Sequence, residues 1–285
     1  MTQPASPAYE YLAARRVLLD ALVALEPHIG AVIVIGAQAV YLRTEDRMPH
    51  YQPFTTDADL VVDPGLLAET PLLADAMLAA GFKSTREPGI WMRHIKHPGL
   101  GGDIAVPVDL IVPSQIAPSA GRRGARLPGG HGNRAARKTR GVEGALVDHD
   151  PLLIGALDSR DERRPVVNVA GAGALVVAKA HKLGERLTTP SRLIAKDAGD
   201  IYRLFEATAL MRMAATTARL LADERSSATT EQALDYLVQL FGTPGSPGVR
   251  LATQALADVA DTSTVTEMIV GYTRDLVQAA SSDYT

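Results

Sequence analysis

The chain has 285 residues, 46% of them hydrophobic, with 29 Lys and Arg against 32 Asp and Glu. That suffices for one large domain or two ordinary ones, and the near-balanced charge leaves only its distribution to point at nucleic acid. The sequence contains no cysteine, which excludes disulfides, thiolate catalysis and Cys-based zinc sites, and no apolar run approaches the roughly 20 residues that span a bilayer.

The N-terminal stretch MTQPASPAYEYLAARRVLL lacks an apolar signal core and is interrupted by Glu10, Arg15 and Arg16, so a cytoplasmic protein with no membrane partner is expected. Residues 8–26 carry leucines at helical spacing, and Pro27 ends that helix. AVIVIG reads as a buried strand closed by Gly36, with a helix over AQAVYLRT behind it. Residues 46–55 hold two prolines and read as a loop. DADLVVD is a strand, and residues 66–82 read as a helix with Gly81 at its C-terminus. FKSTRE and IWMRHIKH read as strands joined around Pro88 and Gly89, and IAVPVDLIVP as another.

Residues 117–141 are rich in Gly, Arg and Pro and lack apolar periodicity, which predicts a flexible loop or a disordered segment. Two short strands are expected within 142–158 and 164–171. From residue 172 onward the patterning is helical to the end. The fold class is therefore α/β (α+β), with a mixed-sheet part over 1–170 and a helical part over 171–285.

TTDADLVVD places Asp57 and Asp59 two residues apart, on one side of a strand. Converging carboxylates repel unless a cation neutralises them or one is protonated. A hard divalent ion such as magnesium prefers such oxygens, with phosphates completing its shell. Asp109, inside the apolar run VPVDLIVP, is a third candidate ligand if its strand neighbours the first, and pairing with an arginine is the alternative. A buried strand ending in Gly36 and followed at once by a helix aims amide groups outward, where they suit a phosphate.

IGAQAVYL, TTDADLVV and VPVDLIV, in that order, resemble the nucleotidyltransferase superfamily typified by DNA polymerase beta. Within it, AKAHKLGERL and AKDAGDIYRLF resemble the Lys-x-His and Asp-x-x-Asp elements of the AbiEii-type and MenT toxins of bacterial toxin–antitoxin systems. The resemblance implies a polymerase-beta-like mixed sheet with flanking helices. It implies Asp57, Asp59 and Asp109 as ligands of Mg2+ or Mn2+, Lys179 as a contact to the triphosphate and Asp200 as a further acidic residue. The helical part would thus contribute Lys179 and Asp200 to the site. Gly36 would form the phosphate-side turn, Thr55 would stand where relatives carry a hydroxyl, and Lys182 and Asp197 would be secondary. Gln38 stands where the family has a phosphate-binding hydroxyl, and its amide is a substitute donor. The implied reaction is transfer of a nucleoside monophosphate from an NTP to a hydroxyl, most readily the 3′ end of tRNA, with a cognate antitoxin as protein partner and no DNA. Alternatives are a protein or aminoglycoside-like acceptor, or a non-catalytic nucleotide-binding regulator.

Arg122, Arg123, Arg126, Arg134, Arg137, Lys138 and Arg140 form a basic run with no acidic residue between them. Such a run neutralises RNA phosphates; a solvated insertion is the alternative. Trp91 is expected in the core, His181 as a packing or hydrogen-bonding residue, and His149 in a turn with Asp148 and Asp150.

Overall fold

Short apolar runs rich in β-branched residues become the strands of one mixed sheet. The computed structural model describes residues 9–45, 54–97, 102–117 and 123–282. These residues fall into two compact units: one within 1–42, 52–139 and 149–170, the other within 43–51, 140–148 and 171–285.

In the first unit, α1 (Tyr9–Ala24) buries Leu18, Leu19 and Leu22, and packs on the sheet. A 3-10 turn over Glu26–Ala31 leads into β1 (Val32–Ile35), whose four residues are all buried. Then come α2 (Gly36–Thr44), β2 (Ala58–Val62), α3 (Leu73–Ala79), β3 (Lys83–Ser84), β4 (Ile90–Lys96), β5 (Asp103–Pro113), β6 (Arg137–Thr139), β7 (His149–Leu153) and β8 (Val166–Ala170). The strand order is β3-β4-β5-β2-β1-β8-β7, with β6 paired to β5. β1 is antiparallel to β2, and β2 is parallel to β5. β4 pairs with β5 as far as Asp109; β6 takes over from Ile111. Gly89 makes that handover, at φ +76°, and a Cβ on it would meet the Arg137 nitrogen at 2.4 Å and the Leu110 oxygen at 2.6 Å. Only glycine allows the two strands to meet there.

The second unit holds a 3-10 turn over Glu143–Leu146 and then α4 (Ala172–Gly184), α5 (Ala195–Ala207), α6 (Leu210–Ala222), α7 (Ser227–Phe241), α8 (Pro247–Ala255) and α9 (Thr262–Ser282). α4 packs against α7 and α5, α5 against α8, and α6 against α9. Asp148 anchors the start of α4 by accepting from the Ala174 amide at 3.0 Å. The expected class is what the structure has: a mixed sheet flanked by helices, and a helical C-terminal region. Among the described residues no helix is long and apolar enough to cross a membrane.

Four expectations change. The helix expected over 66–82 starts only at Leu73, because Pro71 has no N–H to donate and its ring would collide with the preceding turn. The helical patterning over 196–223 breaks at Thr208, whose backbone is extended (φ −123°, ψ 119°), and gives two helices, α5 and α6. Residues 143–146 form a 3-10 turn rather than part of a strand, and His149 opens β7 opposite Ala170 instead of lying in a turn. Residues 123–139 are folded, not a flexible loop. Gly124 bridges to Arg137 and Leu127 to Gly132, while Ala125, Leu127, Ala135 and Ala136 are buried. His131, also buried, accepts from the Leu73 amide through Nδ1 at 3.0 Å. The composition concealed this because the core contribution comes from alanines at irregular spacing.

Candidate active site

Strand register assembles the site of the first unit. Ile35 stands opposite Asp59, so the end of β1 and the Asp59 carboxylate lie side by side. Gly36 has φ +73°, a conformation that side chains resist, and a Cβ there would meet Asp59 Oδ2 at 2.1 Å. The carboxylate is thus seated on the turn from which α2 departs. Asp59 is registered with Asp109 on the parallel neighbour β5, so both side chains project from one face of the sheet. Asp57, two residues before Asp59, shares its half-buried state, while Leu60, Val108 and Leu110 on the opposite face are fully buried. Gly36, Asp59 and Asp109 are therefore brought together, and Asp57 stands immediately before β2. Thr55 is buried and donates its hydroxyl to Asp57 Oδ1 at 2.5 Å.

Gln38 corrects one expectation. Its Nε2 donates to the backbone oxygens of Ala14 and Asp57, each at 3.1 Å, and its Oε1 accepts from Arg15 Nε at 2.8 Å. Both amide hydrogens are committed inside the fold, so Gln38 does not offer a donor to a phosphate; it braces the backbone that carries Asp57. Arg15, which the sequence analysis did not place in a site, is buried and also donates to the Gly155 oxygen and the Tyr11 hydroxyl. A basic residue among helix positions that otherwise face the core was the available signal.

Asp109 is engaged by an arginine. Arg137 Nη2 and Nε both donate to Asp109 Oδ2, at 2.6 and 3.2 Å, and Nη1 donates to the Thr139 hydroxyl at 2.9 Å. Arg137 is registered with Ile111, two residues along β5 from Asp109, so its side chain runs back along the carboxylate face. Arg137 is accordingly an element of the acidic cluster and not of the basic run. Among the described residues, no group of three or more His, Asp or Glu side chains is arranged to hold a metal ion.

The second unit concentrates the helical motifs. Lys179 of α4 is buried, and its Nζ donates to Asp197 Oδ1 at 2.7 Å and Asp200 Oδ2 at 2.6 Å, both on α5. Lys182, half-exposed, reaches Asp197 at 3.1 Å. Burial alone would push the Lys179 ammonium down, but the facing Asp200 and Asp197 carboxylates outweigh it and hold it well above its usual range. Burial would raise the Asp197 carboxyl, and Lys179 and Lys182 together hold it below its usual range. Asp197 Oδ2 and Asp200 Oδ1 are buried without a hydrogen-bond partner. The ammonium expected to meet a triphosphate is here enclosed between two carboxylates. His181 packs edge-on to Tyr236 and contacts the Thr229 oxygen at 2.8 Å.

The rest of the basic run is dispersed. Arg122 lies outside the described residues. Arg123 pairs with Glu87 at 2.9 Å, and Arg134 donates to the Thr85 and Arg86 oxygens at 3.0 Å. Arg126 and Arg140 are exposed and Lys138 is half-exposed on β6. Trp91 is buried, with its indole N–H bonded to the Ala135 oxygen at 3.0 Å.

No protein-family model matches the sequence, and no curated protein matches it significantly. A crystal structure of an antigenic nucleotidyltransferase-like protein from Paracoccidioides brasiliensis superposes on 87% of this chain and 94% of its own, with a TM-score of 0.47 and 16% identity. A likeness at that level assigns neither an activity nor a substrate.

Proposed function

We propose that the protein is a divalent-metal-dependent nucleotidyltransferase that uses the carboxylate face of its sheet. One observation carries the reading: the Asp59 carboxylate is seated on the positive-φ Gly36 turn at the start of α2, in register with Asp109 and two residues from Asp57. Acidic side chains beside a helix start suit a nucleotide's phosphates and the cation that accompanies them. Asp57 and Asp59 fit a single Mg2+ or Mn2+, an ion that is commonly held by one or two carboxylates plus substrate phosphates. When bound, the ion would neutralise charge developing on the phosphoryl group.

In the proposed reaction an acceptor hydroxyl attacks the α-phosphorus of an NTP. The new O–P bond forms as the bond to the β-phosphate oxygen breaks, pyrophosphate leaves, and the hydroxyl proton passes to a carboxylate. Asp57 and Asp59 hold the phosphate region, Thr55 orients Asp57, and Gln38 with Arg15 fixes the backbone beneath it. Lys179 and Asp200 belong to this reading only through the resemblance of their motifs. The proposed acceptor is the 3′ end of tRNA, drawn by the exposed Arg126 and its basic neighbours. Blocking that end would arrest translation, which makes the protein a cytoplasmic toxin with an antitoxin partner. A second reading, a nucleotide-binding regulator without catalysis, is favoured by the neutralised Asp109 and the enclosed Lys179.

The test is a transfer assay with magnesium, each α-labelled NTP in turn, and total tRNA, with Asp57→Ala alongside. Label on tRNA with the wild type and a drop of about a thousandfold in the variant is expected for a residue required in the transition state. Nucleotide binding without label on tRNA, protein or aminoglycoside would leave the regulator.

A further inference from the structure

We infer that His28 and His131 form an acid-sensitive latch, which holds segment 68–73 in place only while both rings are neutral. This latch stands apart from the nucleotidyltransferase reading. Both histidines belong to the first unit, and both are buried. His28 sits on the 3-10 turn before β1, and His131 in the turn that closes the Leu127–Gly132 bridge. The turn before β1 lies at the end of the sheet away from the carboxylates: Val32 pairs with Val62, whereas Ile35 pairs with Asp59.

Hydrogen bonding fixes the proton on each ring. His131 Nδ1 accepts from the Leu73 amide at 3.0 Å, so its proton is on Nε2, which donates to the Ala68 oxygen at 2.9 Å. His28 Nε2 donates to the Pro71 oxygen at 2.8 Å, and its Nδ1 is buried without a hydrogen-bond partner. Ala68, Pro71 and Leu73 are thus gripped by two rings that stand edge to face, with centroids 5.4 Å apart. A proton added to His131 Nδ1 would point at another N–H and cancel the bond to Leu73. A proton added to His28 Nδ1 would be buried with no acceptor. Two charged rings would also repel each other.

The surrounding charges do not offset this. Glu26 on the His28 turn, Glu69 beside Ala68, Asp75 on α3 and Arg126 on the His131 segment are exposed. Asp63 after β2 accepts from the Gly65 amide, and Asp20 on α1 is paired with Arg163. None of them bonds either ring. Burial holds the His28 imidazole below its ordinary range against the pull of the Pro71 oxygen, and His131 adds to the lowering. The stability it contributes is therefore full above the ordinary histidine pKa of about 6.5 and is lost as pH falls through the folded value. Opening would uncover Leu73 and Leu127, both buried, while the Trp91 indole N–H keeps its bond to the Ala135 oxygen further along the segment.

The experiment is 15N NMR of the histidine rings in the full chain, from about pH 8 to about pH 4, with hydrogen exchange followed along the same titration. At neutral pH both rings should carry their proton on Nε2. On acidification they should take up about two protons together, as the Leu73 amide loses protection and the Trp91 indole N–H keeps it. His28→Gln retains a donor toward Pro71 but has no ring to protonate. It should lower the opening pH and reduce the uptake to about one proton. An Nδ1-protonated ring at neutral pH would overturn the inference without any variant. So would protonation of either ring with Leu73 still protected, loss of Leu73 and Trp91 protection at one pH, or an unchanged opening in a folded His28→Gln.

Discussion

The chain carries two acidic clusters that solve the problem of crowded charge in opposite ways. On the sheet, Asp57, Asp59 and Asp109 are half-buried, and water still reaches them. Among the α-helices, Asp197 and Asp200 are sealed from water, with the Lys179 ammonium between them. A half-buried carboxylate keeps part of its hydration, so it can exchange one partner for another. A sealed one must be paired at all times, because the interior offers no substitute for water. The first arrangement suits exchange of partners, and the second suits permanence. Charge count alone does not separate the two; strand or helix placement does.

Lys179→Met should give the largest effect on stability. It leaves Asp200 buried without the ammonium that pairs with it, and removal of one member of such a pair typically costs about 3–5 kcal/mol. Urea unfolding should show that loss as a lower midpoint at unchanged slope. Combining Lys179→Met with Asp200→Asn should restore most of it. Transfer activity then separates the roles: a part in the reaction for Lys179 or Asp200 leaves the restored double variant inactive, and a purely structural pair leaves it active. The acid limb of stability gives a parallel readout. Asp197's carboxyl is held below its unfolded range, so its contribution is full above the ordinary carboxylate pKa of about 4 and is lost as pH falls through the folded value. In Asp197→Asn that loss should vanish from the pH profile of the midpoint.

The same contrast governs what could be read in advance. The strands around Asp59 and Asp109 were legible because apolar runs of fixed length have few alternatives, and alternation assigns a face to each residue. That β2 and β5 are neighbours was not legible from spacing, since register is a long-range choice; the motif order supplied it. Arg137 was read as part of an RNA-binding basic run because nothing local distinguishes it from Arg134 or Arg126. Its role depends on β6 joining β5 some 28 residues from Asp109 in sequence. Gln38 misled for a different reason: an amide at a helix start is chemically able to bind phosphate, and only packing against Ala14 and Arg15 shows that its hydrogens are already taken. The helical motifs were visible, but burial of Lys179 depends on how α4 and α5 face each other, which no single helix encodes.

Gly36→Ala sharpens the comparison at intermediate size. The positive φ should cost about 1–2 kcal/mol. The more telling effect is local: the new methyl group would strike the end of the Asp59 side chain, which can rotate away at low cost. Stability should therefore fall modestly while transfer falls about a hundredfold, the usual consequence of moving a reacting group by an ångström. Equal losses in both would mean that the Asp59 position serves the fold alone.

The smallest effect expected is that of Thr55→Val, a near-isosteric change at a buried position that removes the hydroxyl donated to Asp57. Because Asp57 is only half-buried, water can replace the lost donor, and stability should fall by only about 1 kcal/mol. The carboxylate would then be free to turn, and transfer should drop about tenfold, with Thr55→Ser close to wild type. Mn2+ affinity measured on the same variants identifies the cause. A weaker ion in Thr55→Val, restored in Thr55→Ser, means the hydroxyl orients a ligand carboxylate. An unchanged affinity with lost transfer means instead that Thr55 meets the nucleotide itself, and the half-exposed cluster then begins at residue 55 rather than at residue 57.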